Sequence, residues 1–143
     1  MSSPEALIRR FWQIMWHTDA KSMLSEIITP DAAFRGSLGN TASGPSGVVA
    51  YARNVQLSFP DFAVEPADFA TEGERVYARL RLSGTHKGEL FGCAPSGRRI
   101  EYHGMALHTV RDGLIHSIWV VGDTLDLARQ AGASLIPAPE PLN

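Results

Sequence analysis

The sequence predicts an α+β domain in which three helices, a curved antiparallel meander and a short terminal helix follow one another, with the helices on one face of the sheet. Three observations predict it. Apolar residues recur at helical spacing up to about Ser58, and from Phe62 onward they alternate with polar ones at a period of two. Asp112-Gly113 then separates two β-rich runs, and both residues tolerate the positive φ of a tight hairpin turn.

Ser2 or Ser3 caps the first helix, with Pro4 at its first position, Glu5 in its first turn and Leu7, Phe11 and Ile14 on its buried stripe. A second helix is expected from Asp19 or Ala20 to Ile28, where Pro30-Asp31 stops it. A brief strand over Ala32 to Arg35 leads into a Gly- and Ser-rich loop, Gly36 to Gly47, placed over the mouth of the fold. The third helix covers Pro45 to Ser58, with Val48, Val49, Ala52 and Val55 toward the core. Phe62 to Ala70 reads as a strand whose Pro66 demands an edge position or a bulge. Val76 to His86 alternates, with one apolar face that ends on His86. After a loop from Gly88 to Gly97, the runs on either side of Asp112-Gly113 complete the sheet, and Thr124 to Gln130 is the last helix. Residues 1–136 make one domain, and the tail from Pro137 to Asn143 is expected to be flexible.

A chain of 143 residues is long enough for a single core without a disulfide or metal staple. Hydrophobic residues at 44% and charged ones at 20% fit a folded, water-soluble domain. The net charge of −2, with scattered Lys and Arg, gives no basic stripe for nucleic acid or an anionic membrane. Cys93, the single cysteine, excludes an internal disulfide and fits a reducing cytoplasm. The sequence has no apolar run of membrane-spanning length and no signal-peptide core. It also lacks the spacing of a His-Glu-x-x-His metal site and any Gly-rich phosphate loop, so no metal or cofactor is expected.

The stretch that points to chemistry runs from Tyr102 to Gln130. Its second strand ends on Asp123, a carboxylate delivered after Trp119, Val120, Val121 and Gly122. A two-residue hairpin loop pairs Arg111 with Leu114 and sets Asp123, Trp119 and Ser117 on one face with Tyr102, Ala106 and His108. A bulge at Gly113 instead partners Asp123 and Trp119 with Glu101, His103, Met105 and Leu107. The first register is favoured, because it leaves small residues beside bulky ones and room for a ligand. Asp123 then reads as a general base whose pKa is raised by apolar walls, and the plainer alternative is a helix N-cap.

Gly84 to Gly104 (GTHKGELFGCAPSGRRIEYHG), Arg111 to Trp119 (RDGLIHSIW), Asp123 and Gln130-Ala131-Gly132 together resemble the SnoaL-like polyketide cyclases, the ester cyclase family, over nearly the whole chain. Phe59-Pro60-Asp61-Phe62 and Gly44-Pro45 sit where that family has similar residues. The resemblance implies a nuclear-transport-factor-2-like cone, a homodimer or larger homo-oligomer, and no cofactor. It also implies intramolecular aldol closure of a polyketide-like ring, with an acidic residue as acid/base.

Asp123, His108 and His86 are therefore the catalytic candidates, each histidine able to orient a carbonyl or protonate the new alkoxide. Either is equally readable as a hydrogen-bonded core residue, and His103 replaces His108 under the second register. Trp119, Tyr102, Tyr51, Phe34 and Phe59 are candidates for the walls of an apolar ligand pocket, although aromatic residues are core by default. His17 and His116 are read as structural, and Cys93 as a small loop filler. Two other readings stay open: isomerisation or epoxide opening of a small terpenoid or steroid, and a ligand-binding or dimerisation module without catalysis. The outward strand face, taken as Met105, Leu107, Ile118 and Val120, is expected to form the homodimer contact.

Overall fold

The computed structural model describes residues 3–134 and 139–141. The elements follow in the order α1 (Pro4–Ile14), α2 (Ala20–Leu24), β1 (Ile28–Arg35), β2 (Thr41–Ser43), α3 (Gly44–Ser58), β3 (Ala63–Glu72), β4 (Arg75–Thr85), β5 (Arg99–Arg111), β6 (Leu114–Gly122) and α4 (Thr124–Ala131). The six strands form one sheet in the order β2-β1-β6-β5-β4-β3, curved and unclosed, with the helices on its inner face. The expected tail lies largely outside the described residues. No described helix is long and apolar enough to cross a membrane.

Each helix follows from a local cause. The Ser3 side chain accepts the Ala6 N–H at 3.1 Å, Pro4 opens α1, and Leu7, Ile8, Phe11 and Trp12 make its buried stripe. Only Ala20 to Leu24 is helical in the second segment, since Ile27 and Ile28 enter a strand longer than the sequence suggests. The Gly-rich stretch is likewise not all loop, because it holds β2 and the first turn of α3. Pro66 lies on β3, an edge strand, whose register shifts between Ala67 and Ala70 around Asp68 at φ 52°.

The sheet departs from the expected antiparallel pattern at one seam, where β1 runs parallel to β6. Ala33, Phe34 and Arg35 pair there with Ser117, Ile118 and Trp119, so β1 extends the sheet beyond β6 and is itself edged by β2. A second departure alters the faces. The Asp112-Gly113 turn has positive φ at both residues and pairs Arg111 with Leu114, as the two-residue loop requires. Between Val110/Ile115 and Thr109/Ser117, however, β6 carries one extra residue, and beyond it Leu107 pairs with Trp119 and Met105 with Val121. Ile118 and Val120 therefore point inward, whereas Trp119 is 52% exposed and Val121 joins it outside. The outward apolar set is thus Tyr77, Met105, Leu107, Trp119 and Val121 in place of the set containing Ile118 and Val120.

Candidate functional site

Helical spacing at the end of α1 and strand alternation in β3 together make a concavity. Trp12 and Trp16 are one helical turn apart, and Phe62, Val64 and Pro66 are buried at alternate positions opposite them. The open groove between them has a volume of about 750 Å³ and is also lined by Arg9, Gln13, His17, Thr18 and Glu65. Trp16 meets Phe62 edge-on at 5.1 Å, and its indole N–H donates to the Trp12 carbonyl at 2.9 Å. These contacts fix the aromatic walls before any ligand arrives.

A buried polar chain supports the floor. The Trp12 indole N–H donates to His108 Nε2 at 3.0 Å, and His108 Nδ1 lies 2.9 Å from the Val76 carbonyl. Because Nε2 accepts, Nδ1 must carry the proton that the carbonyl receives, and this defines a neutral imidazole of one tautomer. Burial pushes the His108 pKa down to about 4, against a smaller upward pull from the Val76 hydrogen bond. Behind Phe62, at a ring separation of 6.4 Å, Tyr102 bonds through its hydroxyl to Ser37 Oγ at 2.9 Å. Desolvation raises the pKa values of both Tyr102 and Tyr51, so each phenol keeps its proton at neutral pH.

The structure divides the residues singled out from sequence. His108, Tyr102, Tyr51, Phe34 and Phe59 do lie inside, the aromatic ones chiefly as packed core. His86 is also buried, with Nδ1 accepting the Ser96 N–H at 3.3 Å and its ring packed on Phe59 at 5.9 Å. Its Nε2 has no hydrogen-bond partner among the described residues. Trp119 does not line the interior, because the β6 bulge turns it outward, where the Arg35 guanidinium stacks on it at 4.9 Å. Asp123 is exposed too, and its carboxylate accepts the Asp126 N–H at 3.1 Å as the N-cap of α4. It borders a separate outward depression of about 330 Å³ with His103, Met105 and Val121.

Asp123, His108 and His86 are therefore not brought together. Among the described residues the buried polar side chains are Thr29, Ser37, Ser83, His86 and His108, so the interior holds no carboxylate. Nor does any group of three His, Cys, Asp or Glu side chains converge as metal ligands among them. Sequence reasoning missed the groove. The tryptophan pair at positions 12 and 16, next to polar Gln13 and His17, was its available signal, but pairing with Phe62 to Pro66 depends on the tertiary fold.

Comparison with known proteins adds to this geometry. Residues 6–131 match the family model of the SnoaL-like polyketide cyclases. The chain is 31% identical over 147 residues to the aklanonic acid methyl ester cyclase of Streptomyces peucetius, covering 98% of this chain and 97% of that protein. It superimposes on IdmH, a putative polyketide cyclase from Streptomyces antibioticus, with TM-score 0.78, 26% identity and coverage of 92% and 99% of the two chains. A protein with a ketosteroid isomerase-like fold from Catenulispora acidiphila superimposes at TM-score 0.75 and 14% identity, over 96% of this chain and 100% of that one.

Proposed function

Because the chain belongs to the SnoaL-like polyketide cyclase family, we propose that it closes a ring in a polyketide-like molecule held between α1 and β3, by intramolecular aldol-type condensation without a cofactor. The groove itself carries this reading. At about 750 Å³ it falls within the roughly 300–1,000 Å³ of small-molecule sites, and its lining mixes aromatic Trp12, Trp16 and Phe62 with polar Arg9, Gln13, His17, Thr18 and Glu65. A base removes a proton from the carbon between two carbonyls, the resulting enolate forms a carbon-carbon bond to a second carbonyl, and the new alkoxide takes up a proton. Holding the two carbons together supplies much of the rate.

Of the groove's lining side chains, His17 and Glu65 can accept a proton from carbon, and Glu65 is held by Arg81 at 2.6 Å. His17 is accordingly assigned the base. With aklanonic acid methyl ester as substrate, His17→Gln should lower the ring-closing rate by about 10²-fold, the usual scale for a general base. Asp123→Asn should leave rate and melting temperature nearly unchanged, because Asn caps a helix about as well as Asp. A wild type that leaves the ester unclosed counts against the cyclase reading with this substrate.

One observation favours a second reading. Asp123 and His103 line the same depression, so a ligand seated against Met105 and Val121 would meet a carboxylate and an imidazole together. On that reading Asp123 is the acid/base, and Asp123→Asn is the inactivating substitution while His17→Gln is silent.

The same outward face supports a proposal on assembly. Tyr77, Met105, Leu107, Trp119 and Val121 form neighbouring cross-strand pairs, a cluster suited to a homodimer. Light scattering should give twice the chain mass at micromolar concentration, and Trp119→Glu should give the single mass with its melting temperature preserved. A wild type that is monomeric under these conditions would sink this proposal.

A further inference from the structure

We propose that Arg53 on α3 is a positioning residue for ring closure, holding in place the turn after α1 that carries His17. The inference rests on the reading of His17 as the base in the groove, and deepens it. Trp16, His17 and Thr18 all line the groove, yet they lie beyond Ile14, the last residue of α1, so the regular helical ladder does not hold them. Their side chains are anchored unequally. The Trp16 indole donates to the Trp12 carbonyl and meets Phe62 edge-on. The exposed His17 ring has no hydrogen-bond partner among the described residues.

The place of that ring is therefore set by its own backbone, and the backbone is held from α3. Arg53 donates from Nη1 to the Trp16 carbonyl at 3.4 Å and from Nη2 to the His17 carbonyl. Gln56 accepts from Arg53 Nη1 and donates from Nε2 to the Trp16 carbonyl at 3.3 Å. One planar fork thus grips two consecutive carbonyls, and Gln56 fixes its orientation. A guanidinium suits this task because its donors lie in a rigid plane, whereas the single nitrogen of an ammonium cannot reproduce the fork. Its charge also meets the carbonyl end of α1, where a cation is favoured. Arg53 itself does not line the groove. Its influence on the chemistry runs through the placement of His17, and misplacing a reacting group by about 1 Å can cost about 10²-fold in rate.

The test is a double-mutant cycle on closure of aklanonic acid methyl ester. Arg53→Gln should lower kcat about tenfold, inside the range for such a misplacement. KM should stay near the wild-type value, because Trp12, Trp16 and Phe62 keep their own contacts. Arg53→Lys should lose less. In a His17→Gln background Arg53→Gln should cost nothing further, since the residue it positions is gone. A wild-type kcat in Arg53→Gln, or a loss that recurs in full without His17, would overturn the inference. His17→Gln with wild-type kcat removes the base reading and this inference with it, whereas an impaired His17→Gln beside a fully active Arg53→Gln removes only the inference. The His17 ring signal in a carbon-13 correlation spectrum gives a readout apart from turnover. It should move in Arg53→Gln while the Trp16 indole N–H stays, and an unmoved His17 ring counts against the clamp. If Arg53→Gln does not fold, Arg53→Lys decides by the same cycle.

Discussion

Trp12→Ala should lower folding stability by about 3–5 kcal/mol, as large-to-small substitution of a buried aromatic residue does. Trp12 is 3% exposed, meets Phe11 edge-on at 5.0 Å and Phe34 at 6.4 Å, and donates its indole N–H to His108. Trp12→Phe separates volume from hydrogen bonding. It keeps most of the ring but strands His108 Nε2 inside the core, at a cost of about 1–3 kcal/mol. Denaturant midpoints for both variants check these values. The same pair predicts a pH dependence. An unfolded histidine takes up its proton near pH 6.5, but in the fold His108 resists until about pH 4. Between those limits the unfolded state binds the additional proton, so the His108 contribution is complete above pH 6.5 and lost progressively as pH falls toward 4. His108→Gln should flatten that part of the stability profile, and an unchanged slope would refute the neutral assignment.

Gly44→Ala should cost about 3 kcal/mol or more, because two penalties coincide. The residue opens α3 at φ 69°, in the left-handed region that costs an L-residue roughly 1–2 kcal/mol. A β-carbon there would lie 2.3 Å from the Pro30 carbonyl oxygen, a backbone atom that cannot rotate away. Relieving the clash means moving α3 from β1, and the face of α3 carrying Val48, Tyr51, Ala52 and Val55 is core. Urea unfolding of Gly44→Ala measures this, and a variant within about 1 kcal/mol of wild type would show that the α3 entry relaxes more readily than the geometry implies. Gly44-Pro45, part of the family resemblance in the sequence, thus has a packing reason.

The first, third and last helices and the hairpin were legible because their signals are local. Ser3-Pro4 caps and opens α1, and Asp112-Gly113 makes a turn that few residue pairs can make. The same hairpin shows where legibility ended. Register at the turn was read correctly, but the extra residue between Ile115 and Ser117 has no Gly or Pro to announce it. One residue reversed the face of everything after it, which exchanged Trp119 with Val120 and left Asp123 outside. His108 escaped that error because it lies on β5, where Val76 and Ala78 on β4 set the inward face independently. The groove was hidden for another reason, since each wall alone reads as core and the concavity exists only where α1 faces the edge strand.

The central claim is that ligand binds between α1 and β3, and the three tryptophans make it directly measurable. Trp12 and Trp16 line the groove, whereas Trp119 lies on the outward face of the sheet. Their indole N–H signals in a nitrogen-15 correlation spectrum can be followed as methyl anthraquinone-2-carboxylate, a flat aromatic ester, is added. The signals of Trp12 and Trp16 should shift together and saturate at one affinity, with Trp119 unmoved. A shift of Trp119 alone, with Trp12 and Trp16 fixed, would contradict the account and place the ligand on the outward face that also carries Asp123.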